Sequence, residues 1–141
     1  MKKLLFLLML VVGINSINSQ PLELLGLGKL YTIAWMNNNP EYELIAYKDE
    51  YSDSVKIYTY INEKYKTVVL IGFKDDISTM MILLSSESVI KYYIKEIKKD
   101  KNLNKAKKNI YYNQKYYIKF INPKDKKELH GVAFYLINNK K

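Results

Sequence analysis

A row of tyrosines and lysines predicted to face water is the arrangement in this chain best suited to binding. The segment 110–121, IYYNQKYYIKFI, has the period-two pattern of a β-strand, in which alternate side chains share one face. The even-numbered positions are the more apolar set and are predicted to face the core. They include Ile110, Tyr112, Tyr116, Ile118 and Phe120. The opposite, water-facing row contains Tyr111, Lys115, Tyr117 and Lys119.

The chemistry of this row suits sugars, bases and anions. Aromatic rings stack on the faces of such ligands, and ammonium groups attract negative charge. We therefore predict a binding surface at this row. The plainer alternative is an exposed sheet face on which tyrosine serves only as a good strand former.

Residues for catalysis or metal binding are scarce. The chain has no cysteine and a single histidine, His130, and no serine lies in a G-x-S-x-G turn, so neither a thiol nucleophile nor a recognisable triad is available. The acidic segment 49–54 does not match the spacing of a calcium loop. We predict no catalytic residue, no metal site and no cofactor, and retain a small hydrolase only as a remote alternative.

Charge is divided unevenly along the chain. Residues 20–90 contain six lysines against ten acidic residues, whereas residues 91–141 contain fifteen lysines against four. Such a basic half attracts an anionic polymer, a glycan or an acidic protein partner. All 23 basic residues are lysine, and without arginine specific recognition of nucleic acid is disfavoured. The codon bias of an AT-rich genome would produce the same composition without any ligand.

The N-terminus has the layout of a secretory signal peptide. Two lysines precede the apolar run Leu4–Val12, and a small polar segment follows. This run is too short to cross a bilayer, which needs about 20 residues in a helix. We predict removal of residues 1–19, with Ser16 as the alternative last residue of the signal, and export to the periplasm or the medium. No transmembrane span is predicted in the remaining chain.

Residues 20–141 are predicted to form one α+β domain. The expected architecture is a mostly antiparallel sheet of five to six strands with one helix packed on one face, in the order β-β-β-β-α-β-β. Segment 66–73 is apolar on both faces, which predicts a central strand covered on two sides. The predicted strands are 42–48, 55–61, 66–73, 78–85, 110–121 and 131–137, of which 78–85 is the one that a helix could replace and the last two form a hairpin.

The predicted helix spans 86–100. Ser85 or Ser86 is a suitable N-cap, Glu87 suits the positive end of the helix dipole, and apolar residues from Val89 to Ile97 recur at helical spacing. Segment 102–109 is predicted to be a polar connection.

The leucine-rich segment 21–36 is predicted to be a short helix or an extended arm. Leu24, Leu27 and Trp35 are its candidate partner-docking residues. Together these features predict an exported, non-enzymatic binding or accessory protein that recognises an anionic or glycan component of the cell envelope through the tyrosine and lysine face. The alternative is a structural subunit of an envelope assembly that docks through the arm. The oligomeric state is left open.

Overall fold

The computed structural model describes residues 24–48, 55–122 and 129–137, which form two helices and one sheet of eight strands. The helices are α1 (Lys29–Asn38) and α2 (Glu87–Lys99). The strands are β1 (Tyr42–Lys48), β2 (Lys56–Asn62), β3 (Thr67–Lys74), β4 (Ile77–Ser85), β5 (Asn104–Lys107), β6 (Ile110–Tyr112), β7 (Tyr116–Ile121) and β8 (His130–Leu136). The predicted α+β class is confirmed. The predicted signal peptide and the acidic segment 49–54 lie outside the described residues.

The predicted number of elements is wrong, because the described residues contain eight strands rather than five or six and two helices rather than one. The strand order is β1-β2-β3-β4-β8-β7-β6-β5, with every neighbouring pair antiparallel. After β4 the chain passes through α2 to the far edge of the sheet. It then returns inward through β5, β6 and β7 and places β8 beside β4.

Two of the extra elements come from the segment 102–121. The predicted polar connection contains the edge strand β5, whose four residues are all exposed. Lysines on such an edge oppose unwanted pairing with another strand. The predicted single strand 110–121 is two strands, β6 and β7, with a turn between them. Its predicted hairpin with the last strand is correct for β7, which pairs with β8 in the register Ile118 to Phe134.

The segment 78–85 is a strand because both of its neighbours pair with it. β4 lies between β3 and β8 and is hydrogen-bonded to each.

The helix α2 agrees with the predicted 86–100 to within one residue at each end. Its exposed ion pair, Glu87 to Lys91 at 2.6 Å, contributes only about 0.3–0.5 kcal/mol.

The N-terminal segment contains α1, the helix missing from the predicted count, and an irregular stretch before it. Residues 24–28 turn around Gly26, which has a positive φ of 89°, and lie along the start of β4. The buried hydroxyl of Ser78 accepts hydrogen bonds from the backbone N–H groups of Gly26 and Leu27 and donates one to the carbonyl of Leu24. This segment is therefore attached to the sheet, which distinguishes it from the predicted extended arm.

One face of the sheet carries the core. Paired residues of neighbouring antiparallel strands point to the same side. Ile71, Met81 and Phe134 are successive partners across β3, β4 and β8, and all three are buried in a cluster that also includes Met36 of α1 and Ile90 of α2. Both helices thus contribute to the core on this face.

The other face, called the open face below, has no helix of the described residues packed on it. The predicted coverage of segment 66–73 on two sides is therefore wrong within the part of the chain that the structure describes. The apolar residues Val68 and Leu70 of β3 belong to this second face and are half-buried rather than enclosed.

Candidate functional site

The β6–β7 hairpin determines which side chains reach the open face. Asn113 begins its turn, because the Asn113 side-chain oxygen accepts hydrogen bonds from the backbone N–H groups of Lys115 (2.8 Å) and Tyr116 (2.9 Å). The register pairs Tyr111 with Ile118 and Tyr112 with Tyr117. An odd-numbered residue of one strand therefore shares a face with an even-numbered residue of the other, and the alternation predicted across 110–121 reverses at the turn.

This reversal moves Tyr111 into the core. Its side chain is 9% exposed and packs against Phe120, with ring centroids 5.4 Å apart. The prediction that Tyr111 faces water is wrong, as is the prediction that Tyr112 faces the core, since Tyr112 is 42% exposed. Within β7 the predicted alternation is correct, because Ile118 and Phe120 are buried whereas Tyr117 and Lys119 are exposed.

Lys115 is exposed but does not lie beside Tyr117 and Lys119. It lies in the hairpin turn, and its Cε is 3.8 Å from where a Cβ at Gly26 would lie. Leu136, a core-side residue of β8, lies 3.5 Å from the same Cβ position at Gly26. The stem of Lys115 is therefore directed toward the core side of the sheet. Of the four predicted binding residues, the structure brings only Tyr117 and Lys119 together on the open face.

Three tyrosines of the open face form a row across β6, β7 and β8, which we call the tyrosine row: Tyr112, Tyr117 and Tyr135. Tyr112 pairs with Tyr117, and Tyr117 pairs with Tyr135. The rings of Tyr117 and Tyr135 are stacked, with centroids 4.8 Å apart and an interplanar angle of 18°. Tyr117 itself is 38% exposed. The row therefore presents aromatic surface to solvent.

The end of the sheet that carries the tyrosine row is basic. Lys119 lies two residues from Tyr117 on the same face of β7, and it is exposed. Between residues 86 and 122 the described chain has ten lysines and three acidic residues. On the open face itself, Lys107 pairs with Ile110 and Ile110 pairs with Lys119, so these two exposed lysines lie on the same side as the tyrosine row, whereas the lysines of α2 belong to a helix packed on the opposite face.

The middle of the open face is mostly apolar. Six half-buried residues of β2, β3 and β4 occupy it as a contiguous group, which we call the apolar grid: Ile61, Val68, Leu70, Met80, Ile82 and Leu84. Among the described residues, none of the six belongs to the core cluster or packs against it.

The predicted docking residues of the N-terminal segment separate in the structure. Leu24 is 2% exposed and lies in the chain's own core, so it is not accessible to a partner. Leu27 is 38% exposed. Trp35 packs partly on the core and on Tyr42, and it also lines a surface pocket of about 400 Å³ at the end of α1.

Among the residues considered for catalysis, His130 is described by the structure and has no catalytic partner beside it in the described ranges. His130 pairs with Ser85 in the β4–β8 register. The Ser85 side chain is fully buried and donates a hydrogen bond to the carbonyl of Lys66, so it is not available as a nucleophile. His130 Nε2 is buried and has no hydrogen-bond partner among the described residues. In that part of the chain no group of histidine and acidic side chains is placed to hold a metal ion.

Neither helix in the described ranges combines the length and apolar character needed to cross a bilayer. Comparisons with protein-family models, with curated proteins and with solved structures return no match for this chain.

Proposed function

We propose that this chain is an exported, non-enzymatic binding protein whose tyrosine row holds an acidic glycan, meaning a polymer of sugar rings that carries negative charge. The observation that carries the proposal is the stacked pair of Tyr117 and Tyr135 on the open face. Tyr112 extends the aromatic surface by one strand, and Lys119 supplies a cation on the same face.

The stacked geometry suits a sugar ring. A tyrosine offers an apolar ring surface for the C–H face of a sugar and a hydroxyl that exchanges hydrogen bonds with sugar hydroxyls. Because the two rings already restrain each other, binding sacrifices little side-chain freedom, which favours affinity. The row crosses three strands at a spacing of about 4.8 Å, so it extends roughly 10 Å and fits consecutive units of a polymer better than an isolated sugar.

The charge around the row supports an anionic ligand. Lys119 and Lys107 are both exposed and share the open face with the tyrosine row. Attraction between exposed charges falls off over a Debye length of about 8 Å at physiological ionic strength, so binding should weaken as salt is added. Lysine provides this attraction without the planar two-point contacts of arginine, which favours a repetitive polyanion over one specific sequence of bases.

Binding to heparin, with uncharged dextran for comparison, tests the proposal. We expect the protein to bind heparin and to release it as the salt concentration rises. Tyr117→Ala should weaken binding at least about five-fold, since the loss of one aromatic contact is worth about 1 kcal/mol. Tyr31→Ala is the matched control, because Tyr31 lies on α1, is 62% exposed and is not part of the open face.

Lysine variants test the electrostatic part separately. Lys119→Gln should reduce the slope of log affinity against log salt by about one, as expected when one cation leaves the contact. Lys95→Gln removes an exposed lysine of α2 and should leave the slope unchanged. Equal losses for Tyr117→Ala and Tyr31→Ala, or equal slopes for the two lysine variants, would show that the tyrosine row is not the binding surface.

A further inference from the structure

The apolar grid requires an explanation that the described part of the chain does not supply. An antiparallel sheet with one solvated face normally alternates apolar and polar residues. β3 and β4 instead have apolar residues on both faces, as shown by Val68 and Leu70 beside the buried Val69 and Ile71. Contiguous apolar surface of this kind marks a site of association.

We propose that a second copy of this chain packs on the apolar grid, sheet face against sheet face. The relief of the face favours another sheet over a ligand that needs a groove. A Cβ at Gly72 would lie 2.9 Å from the tip of Met80, and a Cβ at Gly131 would lie 2.7 Å from Leu84. The side chains of Met80 and Leu84 therefore fill the space beside Gly72 and Gly131, which makes this face of the sheet flatter. Two level sheet faces pack about 10 Å apart with their strands nearly aligned.

The area of the face suits a reversible dimer. The five strands β1, β2, β3, β4 and β8 have seven to nine residues each. At β-sheet spacings they cover roughly 24 by 24 Å, or about 580 Å² on each copy. The two copies together would bury roughly 1,150 Å², which is just above the ~1,000 Å² expected of a specific interface. We therefore expect association that depends on concentration rather than an obligate dimer.

Charge indicates where the two-fold axis lies. On the open face, β3, β4 and β8 are uncharged apart from Lys74 at the end of β3, whereas β7 carries Lys119. An axis parallel to the strands and over β3 places β2 on β4 of the other copy and β1 on its β8. Strands β5, β6 and β7 then remain outside the interface, which keeps Lys119 in water. Glu43 of β1 comes to the rim on the side where the other copy carries Lys119, two residues away along the strand direction, so opposite charges lie on the same side of the rim there.

This inference goes beyond the proposed function. Tyr112 and Tyr117 lie on strands left outside the interface, whereas Tyr135 lies on β8 at its margin. Each proposal is tested at a residue outside the other's surface, Tyr117 for the ligand and Leu70 for the dimer. The two can therefore fail separately. Loss of heparin binding in the tyrosine variants would leave self-association intact, and a monomeric variant of the apolar grid would retain the heparin contacts of each single chain.

Sedimentation equilibrium of the purified protein over a wide concentration range tests the dimer. We expect a reversible monomer–dimer equilibrium. Leu70→Glu should weaken self-association at least about ten-fold, because a carboxylate would be buried against apolar surface without a partner. Leu30→Glu is the matched control, since Leu30 is 84% exposed on α1 and should leave the equilibrium unchanged. Circular dichroism and thermal unfolding establish that both variants remain folded.

A thiol introduced by Leu70→Cys gives a second measurement, which is unambiguous because the chain has no cysteine of its own. An axis over β3 brings this position close to its own mate, so a thiol-specific crosslinker about 10 Å long should join two copies. The same crosslinker should not join copies of Leu30→Cys.

Three results would overturn the proposal. One is a monomer at all concentrations with a freely reactive thiol at position 70, which would mean that the face is solvated. Another is a monomer with that thiol shielded, which would mean that a segment outside the described residues or a bound lipid covers the face. The third is loss of the dimer in Leu30→Glu but not in Leu70→Glu, which would place the interface on α1.

Discussion

The contact between the N-terminal segment and β4 can be tested by removing a single oxygen atom, with Ser78→Ala. Ser78 is fully buried, and its hydroxyl group accepts hydrogen bonds from Gly26 N (2.9 Å) and Leu27 N (3.2 Å) and donates one to the Leu24 carbonyl. Alanine retains the backbone pairing of β4 and leaves almost no cavity. The substitution therefore isolates the side-chain hydrogen bonds that hold residues 24–28 on the sheet.

The expected loss follows from what remains paired after the substitution. Gly26 N still donates to the Ser78 carbonyl at 2.8 Å, and Leu27 N still donates to the Leu24 carbonyl at 3.2 Å. None of the three backbone groups that lose the hydroxyl is left wholly unpaired, so the large penalty for a buried unsatisfied group does not apply. The substitution removes the bond donated to the Leu24 carbonyl and one of the two acceptors of each of the Gly26 and Leu27 N–H groups. A typical hydrogen bond contributes about 0.5–1.5 kcal/mol, so the free energy of unfolding should fall by roughly 2 kcal/mol.

Ser85→Ala is the matched control at the other end of the same strand. Ser85 is also fully buried, but its hydroxyl donates only to the Lys66 carbonyl at 3.2 Å and receives a long bond of 3.4 Å from Thr67. We expect about half the loss of stability, measured by urea unfolding. Amide hydrogen exchange then locates each effect: Ser78→Ala should accelerate exchange at Gly26 and Leu27, and Ser85→Ala should not. A loss below about 0.5 kcal/mol for Ser78→Ala, with unchanged exchange at these two amides, would refute the reasoning.

Two further predictions concern buried hydroxyl groups. Thr32→Val should raise the free energy of unfolding by about 1 kcal/mol or more, because Thr32 Oγ1 is fully buried without a partner in the described chain and valine has the same shape. A decrease measured by urea unfolding would reveal a hidden partner such as an ordered water. Burial raises the pKa values of Tyr42, Tyr60, Tyr93 and Tyr116 above the ordinary phenol value of about 10. Stability should therefore be complete below about pH 10 and fall as the pH rises further, since only the unfolded chain ionises readily there. Phenolate absorbance should rise together with unfolding, and a titration of these rings without unfolding would contradict this.

Local sequence signals predicted much of the framework. Strand 42–48 coincides with β1, and helix 86–100 differs from α2 by one residue at each end, because alternation and an N-cap are both encoded within a few residues. The candidate site was only partly predictable, because it depends on one turn. If Asn113 belongs to a strand, the alternation continues through it and Tyr111 faces water. If Asn113 is the first residue of a turn, the alternation reverses there and Tyr112 is exposed instead. Asparagine favours turns but also occurs in exposed strands, so the residue types alone do not separate these alternatives.

The apolar grid was unpredictable for a different reason, and that reason bears on function. A strand with apolar residues on both faces is equally consistent with coverage by a helix of the same chain and with coverage by another molecule, because burial of apolar surface depends on area and not on which chain supplies the cover. The apolar residues Val68 and Leu70 on the second face of β3 indicate only that this face favours a cover, and they do not indicate which chain supplies it. Since both helices of the described chain pack on the opposite side, the pattern that predicted a buried central strand becomes the reason to expect association. The same sheet face would then serve two purposes at its two ends: largely uncharged strands that pair with a copy, and the part of the tyrosine row on β6 and β7, Tyr112 and Tyr117, that remains exposed to a ligand.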